Sequence, residues 1–253
     1  MEGLFYSKIT LDYNFKPNSA VLKRKCRAED GLTYAVKTNN KPGDYTPVNE
    51  YICASIAKKI GIPIPDFKIL LDCKDNTLWF ASKWETGLVS PAENYKMVED
   101  KSIFSAILAF DFLILNNDRH FNNYLIQIVD DNYKLLAFDH SHALFYNSKL
   151  KENEMMFFPD INSRTVLYIL TALNIKIDSD KIKTVLEKFT NIKPDFFDII
   201  IQDCIEAQWL NFDMAERFKK WLKERSSCTE KIYGNLRRYD YDPVSILSGL
   251  DNT

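Results

Sequence analysis

Glycine is scarce. The 253-residue chain holds seven, and ahead of Lys37 there are only Gly3 and Gly31. That excludes, before Lys37, a glycine-rich turn whose backbone could wrap a phosphate. Cysteine is also thin: Cys26, Cys53, Cys73, Cys204 and Cys228 are an odd number with no close pair. They make neither a disulfide framework nor a zinc ligand set, and a reducing cytoplasm fits best. No apolar run is long and charge-free enough to span a bilayer, the longest being broken by Asp111, so no membrane partner is expected. The opening "MEGLFYSKIT" lacks a basic stretch followed by an apolar core, so no secretory signal is expected. Charge of one sign is missing too: 33 Lys and Arg against 35 Asp and Glu give −2, which argues against direct nucleic-acid binding. The local basic run "KRKCR" (Lys23–Arg27) reads as a solvated strand edge. What is present is 46% hydrophobic and 27% charged residues, enough to bury a real core in one large domain or two small ones.

The pattern divides the chain. Ser19–Cys26 and Leu32–Asn39 are strand-like runs joined by "RAEDG". In the second, Leu32, Tyr34, Val36 and Thr38 share one face and Thr33, Ala35 and Lys37 the other. A helix follows, with Thr46 as its cap, Pro47 in first position and Gly61 just past its end. Val48, Ile52, Ile56 and Ile60 recur every fourth residue and mark its buried stripe. "FKILLD" and "LWFASKW" are two more strands around the turn-prone "CKDN". The first part, residues 1–84, is thus strand-rich with one helix inserted. Residues 85–94, "ETGLVSPAEN", read as a linker, and 95–253 as mostly helical, which makes the class α+β. In "MAERFKKWLKER", Ala215, Phe218 and Leu222 form a core-facing stripe.

One stretch resists a bland reading. The apolar helix "SIFSAILAFDFLIL" empties into "NNDRHFNNYL", and a hairpin follows: "YLIQIV" and "KLLAF", with Asp131-Asn132 at the turn. Asp111 inside that helix reads as a hydrogen-bonded core carboxylate. Asn123 lies just before the first hairpin strand and Asp139 just after the second, so the two are expected side by side at the open end. Asp118, five positions before Asn123, can reach the same space. Oxygen donors of this kind suit Mg2+ held with substrate phosphates. A free carboxylate beside a metal-binding Asn and Asp is an arrangement for phosphoryl transfer, and an Asp followed five residues later by an Asn is the spacing of a kinase catalytic loop. Ala35-Val36-Lys37 resembles the kinase strand whose lysine grips phosphates, and Glu50, in the first turn of the next helix, is its natural partner.

"NEYICASIAKKIGIPIPDFKIL" (Asn49–Leu70), "LNNDRHFNNYLI" and "LLAFDHSHAL" together resemble the HipA family of serine/threonine kinases, toxin components of bacterial toxin–antitoxin systems. The Asp-Arg-His and Asp-His pieces are also similar to phosphatidylinositol kinases. The resemblance covers roughly Ser19 to Leu144. It implies a protein-kinase-like fold of two lobes, with ATP and Mg2+ as cofactors. It makes Asp118 the general base, and Asn123 and Asp139 the metal ligands; His120, read from its place in the sequence rather than from the resemblance, orients the Asp118 loop. Lys37 becomes the phosphate-binding lysine, and Ser82 to Trp84 the hinge beside the adenine. A protein substrate and a DNA-binding antitoxin are the partners it implies. The chain is shorter than full-length members of the family, so a compact kinase without their extra N-terminal domain is expected. It departs from typical protein kinases in having Asp139-His140-Ser141 where they have Asp-Phe-Gly, and "FKPNSAV" must cover the phosphates in place of a glycine-rich loop. Two other readings stay open. A metallohydrolase would use His120, His140 and His142 with aspartates to hold zinc or manganese. A nucleotide-binding module without turnover would keep the fold alone.

Overall fold

The structure, a computed structural model, describes residues 5–13, 24–37, 44–86, 88–89, 94–116, 118–146, 149–151 and 175–238. "FKPNSAV", the start of the Ser19–Cys26 run and half of the linker lie outside them.

Strands β1 (Ser7–Asp12), β2 (Arg24–Ala28), β3 (Thr33–Lys37), β4 (Phe67–Asp72) and β5 (Thr77–Lys83) close into a barrel in the order β1-β2-β3-β5-β4. Alternation along the strands sends Cys26, Ala28, Tyr34, Val36, Leu70, Trp79 and Ala81 inward. It leaves Ala35 and Lys37 on the opposite face. β1 is a strand the sequence did not announce, because its side chains alternate weakly between half-buried and exposed. It pairs antiparallel with β2 and parallel with β4, which corrects the reading of "KRKCR" as a sheet edge. Arg24 is instead paired with Asp12 and Asp72, its guanidinium 4.2 Å from the Trp79 ring centroid. The Cys26 thiol is pushed up to about 12 by burial and by the charge of Asp12.

Helix α1 (Thr46–Ile60) connects β3 to β4. Thr46 is its first residue rather than its cap; its N–H donates to Asp44 Oδ1 at 3.0 Å. At the other end Gly61 takes φ 84, and its N–H and that of Ile62 both donate to Ala57 O. The stripe Val48, Ile52, Ile56 and Ile60 is buried, and so are Asn49, Glu50, Cys53, Ala54 and Ala57. The helix is therefore embedded, part of the apolar core that runs on into the second half of the chain.

That half is built on α2 (Ser102–Leu113), buried continuously from Phe104 onward. It stops two residues before the apolar run does. Asn116 N–H donates to Asp111 O and Leu115 N–H to Phe112 O, a closure that usually places glycine in the left-handed region. In this glycine-poor chain Leu115 occupies it, at φ 53, at a cost of about 1–2 kcal/mol. Cations gather on the orphan carbonyls: Lys151 Nζ donates to Leu115 O at 2.8 Å, and Arg225 to Phe112 O and Leu113 O. Burial lowers Arg225 to about 10.

The hairpin β7 (Tyr124–Val129) and β8 (Asn132–Ala137) is joined by β6 (Leu88–Val89), so the expected linker supplies a strand. The hairpin turn is Asp130-Asp131, at φ 50 and 62, rather than Asp131-Asn132. A two-residue turn of this kind needs both central residues left-handed, and aspartates stand in for glycine. A short ribbon, β9 (Phe145–Tyr146) with β10 (Lys149–Leu150), follows. Then come α3 (Ser179–Thr190), α4 (Pro194–Glu206), α5 (Phe212–Ser227) and α6 (Thr229–Arg238). Asp178 and Asn211 cap α3 and α5, each accepting a backbone N–H at 2.8 Å. Ala215, Phe218 and Leu222 are buried as expected. Trp209 Nε1 donates to Leu78 O at 2.9 Å and Tyr51 Oη to Asp203 at 2.5 Å, so α4 and the turn after it grip both the barrel and α1. Among the described residues no helix is long and apolar enough to cross a membrane.

Ile56, fully buried on α1, tests the shared core. Ile56→Ala is expected to lower unfolding free energy by about 2–5 kcal/mol, seen as a lower denaturant midpoint at unchanged slope. A loss under about 1 kcal/mol would place the residue outside a close-packed core.

Candidate active site

The outer face of β3 and β5, the first turns of α1 and the open end of the β7–β8 hairpin converge on a cleft of about 590 Å³. All eight site residues expected from the sequence line it: Lys37, Glu50, Ser82, Trp84, Asp118, His120, Asn123 and Asp139. Ser82 lies on β5 directly opposite Ala35, and Trp84 follows the strand, its N–H bonded to Thr33 O.

At the cleft's inner wall the ammonium of Lys37, only 8% exposed, joins three elements. It donates to Glu50 Oε1 at 2.6 Å, to Asp139 Oδ1 at 3.0 Å and to Ser141 Oγ at 3.2 Å. Burial alone would push Lys37 down, but the Glu50 and Asp139 charges outweigh it and hold the ammonium above its ordinary range. Burial likewise disfavours the two carboxylates, yet Lys37 and His140 hold Glu50 below its usual value, and Lys37 and Ser141 hold Asp139 far below. All three groups stay charged near neutrality.

Two anchors set the rest. Asn49, beside Glu50 on α1, donates to Ser141 O at 2.6 Å and Phe145 O at 2.8 Å and accepts Phe145 N–H at 2.9 Å. Glu50 Oε1 also accepts the His140 N–H at 3.0 Å. The segment after β8 is thus fastened to α1, and Asp139 is held at φ 60, a conformation aspartate tolerates better than most residues. The second anchor is Arg119, 1% exposed. It makes a two-pronged pair with Asp111, 2.9 Å at each prong, and donates to Asn123 O and Phe138 O. Asp111 also accepts from Asn116 at 3.0 Å, so the expected hydrogen-bonded core carboxylate is present. One guanidinium therefore binds α2 to both strands of the hairpin mouth.

Asn123 donates its amide nitrogen to Asp118 O at 2.7 Å. Among the described residues its Oδ1 accepts nothing, and every hydrogen bond to the Asp139 carboxylate falls on Oδ1. An amide oxygen and a carboxylate oxygen are therefore left over, a hard donor set that fits Mg2+. His120 contributes its carbonyl to the Asn123 N–H at 2.9 Å, turning the loop, while its side chain lines the cleft. His142 Nε2 is 3.8 Å from Asp118 Oδ2. His140 is buried, edge-on to Phe110 with centroids 5.7 Å apart, its Nδ1 3.7 Å from Glu50 Oε2. The two histidines face different carboxylates, and among the described residues no group of three His, Cys, Asp or Glu gathers to hold a metal ion.

Sequence reasoning missed Asn49, Arg119, Ser141 and Lys151. Most of their partners lie far away in the chain, 96 residues in the case of Asn49 and Phe145, and no local spacing announces such bonds. Arg119 carried one usable signal: eight residues separate it from the lone carboxylate of an apolar helix, and a buried Asp needs a cation.

Residues 20–217 match the profile of the HipA-like kinase family. No curated protein sequence matches the chain. Among solved structures, the Helicobacter pylori proinflammatory kinase CtkA is 15% identical, covering 89% of this chain and 95% of its own, with a TM-score of 0.54. That likeness shows the fold. The Golgi casein kinase with Mn and ADP bound is 10% identical over 95% of this chain and 74% of its own, TM-score 0.44. HipA of Shewanella oneidensis MR-1, solved with HipB and operator DNA, is 11% identical over 82% of this chain and 58% of its own, TM-score 0.38.

The buried cluster makes a pH prediction. A carboxylate whose folded pKa is depressed stabilises fully above its unfolded value, about 4.3 for Glu, and that contribution is lost as pH falls toward the folded value. Glu50→Gln is expected to cost about 3–5 kcal/mol at pH 7, since it leaves Lys37 short of a partner. The gap between wild type and variant should then narrow below roughly pH 4 in urea melts. A gap that persists unchanged to about pH 2 would mean that the fold does not lower the Glu50 pKa.

Proposed function

The chain belongs to the HipA-like kinase family, and from that membership we propose that it is an ATP- and Mg2+-dependent serine/threonine protein kinase built as two lobes. Residues 1–84 form the strand-rich N-lobe, 85–94 the linker and 95–253 the helical C-lobe, and ATP enters the cleft between the lobes. The observation that carries this reading is Lys37, joined to both Glu50 and Asp139 in a cleft that Asp118 and Asn123 also line. Family membership extends the proposal to a protein substrate, to a cytoplasmic toxin role and to a DNA-binding antitoxin as partner.

Each residue then has a role. Ala35 leaves room for the adenine, with Ser82 to Trp84 as the hinge along its edge. Lys37, fixed by Glu50, donates to the nucleotide phosphates. Asn123 and Asp139 would hold Mg2+, which neutralises the charge developing on those phosphates. Asp118 accepts the proton of the substrate hydroxyl as that oxygen bonds to the γ-phosphorus. The bond from the γ-phosphorus to its bridging oxygen breaks, ADP leaves, and the proton remains on Asp118. His120 keeps the loop that presents Asp118 in register. The surroundings of Asp118 suit a general base. Its side chain is 45% exposed, open to an incoming hydroxyl, and its backbone is pinned through Asn123.

Asp118→Asn tests the assignment, because it removes the base and keeps the volume. Nucleotide affinity is expected to hold while transfer from γ-labelled ATP to protein falls by about 10²–10⁴-fold. Transfer close to wild type would rule out Asp118 as the base, and a wild type that binds ATP without any transfer would favour a binding module.

A further inference from the structure

One hydroxyl behind the cleft's inner wall has no place in the scheme above. Ser141 stands two residues beyond Asp139, is 7% exposed, and its Oγ lies among all three charges of the inner wall. It is hydrogen-bonded to Asp139 Oδ1, lies 2.9 Å from Glu50 Oε1, and accepts from Lys37 Nζ at 3.2 Å. Its N–H reaches the same Asp139 oxygen at 3.3 Å, and its carbonyl is fastened to Asn49 at 2.6 Å. We propose that Ser141 is a positioning residue that decides which oxygen of Asp139 is offered to the metal, an inference that rests on the kinase reading of the cleft.

The two Asp139 oxygens are not equivalent. Lys37, the Ser141 hydroxyl and the Ser141 N–H all converge on Oδ1, so Oδ2 is the oxygen left for a cation. Lys37 cannot hold Asp139 and the nucleotide equally well during turnover. Once its N–H groups turn to the nucleotide phosphates, its bond to Asp139 weakens at the moment the metal site must be in order. The serine hydroxyl is neutral, short and rigidly anchored through Asn49, so it remains on Oδ1 and keeps the carboxylate from rotating. A hydroxyl can also donate to only one acceptor at a time. With Lys37 already 2.6 Å from Glu50, the single proton is better placed on Asp139. A glycine at this position would supply the N–H but no hydroxyl. Groups that orient a metal-binding carboxylate in this way typically set metal affinity by about 10–100-fold when removed.

The test separates orientation from packing and from failure of the kinase reading. Wild type, Ser141→Ala, Ser141→Thr and Asp139→Asn would be titrated with Mg2+ at fixed concentrations of a non-hydrolysable ATP analogue, and with the analogue in EDTA. For Ser141→Ala the half-saturating Mg2+ concentration is expected to rise about 10–100-fold with unchanged affinity in EDTA. Ser141→Thr, which keeps the hydroxyl, is expected to remain within about threefold of wild type. Equal losses in the alanine and threonine variants would reduce Ser141 to a packing residue and overturn the proposal. A parallel fall in EDTA would also overturn it, by placing the effect on Lys37 and Glu50. If Ser141→Ala matches wild type while Asp139→Asn abolishes the Mg2+ dependence, the positioning role falls and the metal site stands. If Asp139→Asn retains that dependence, the kinase reading of Asp139 fails, and the proposal with it.

Discussion

A carboxylate with almost no exposure to water must be matched by donors, and Glu50 is where this fold meets that demand. Its donors come from two places: Lys37 from the barrel, and the His140 N–H from the segment after the hairpin. Leaving Lys37 out would strand charge in a low-dielectric wall, at a cost of several kcal/mol. The barrel strand, α1 and the hairpin segment are therefore compelled into one arrangement, and the cleft is the space left over once that has happened. Asn49, the neighbour of Glu50, applies the same constraint to backbone groups. Two adjacent residues in the first turns of one helix thus anchor a segment some 90 residues further along.

The Asp111–Arg119 pair does for the helical half what Glu50 does between the halves. A buried ion pair adds little stability by itself, because desolvation consumes most of the attraction. Its use here is geometric. Because the guanidinium has five donors in a fixed plane, it satisfies Asp111 and still reaches Asn123 O and Phe138 O. The loop bearing Asp118 is then held between a core helix and the open end of the hairpin. In the proposed chemistry, positioning contributes as much as any acid or base, which accounts for so many buried polar groups within reach of one cleft.

Scarcity of glycine shapes the rest. Six described residues other than glycine lie at positive φ: Asn76, Leu115, Asp130, Asp131, Asp139 and Gln208. Four are Asn or Asp, which bear the left-handed region at modest cost. Leu115 does not, and it sits between the core helix and the Asp118 loop. There the closure is held by hydrogen bonds to distant cations, Lys151 and Arg225, rather than by a residue suited to the turn.

Read alone, the amino-acid order determined whatever depends on near neighbours. Period-two and period-four patterns placed β3 and α1, since side-chain direction follows from backbone period, and apolar runs bounded by polar turns placed α2 and the β7–β8 hairpin. The hairpin, being local, also carried Asn123 and Asp139 to one end, and the spacing of Asp118 put it within reach. Only the tertiary structure decided the barrel closure through β1, the conversion of part of the linker into β6, and the choice of Asp130-Asp131 as the turn. It alone brought Lys37 to Asp139, across 102 residues, and drew Ser141, Asn49 and Arg119 into the site. These pairings come from burying charge and polar groups against one another, and burial is a property of the folded chain. A window short enough to carry a period of two or four does not reach from Lys37 to Asp139 or from Asn49 to Phe145.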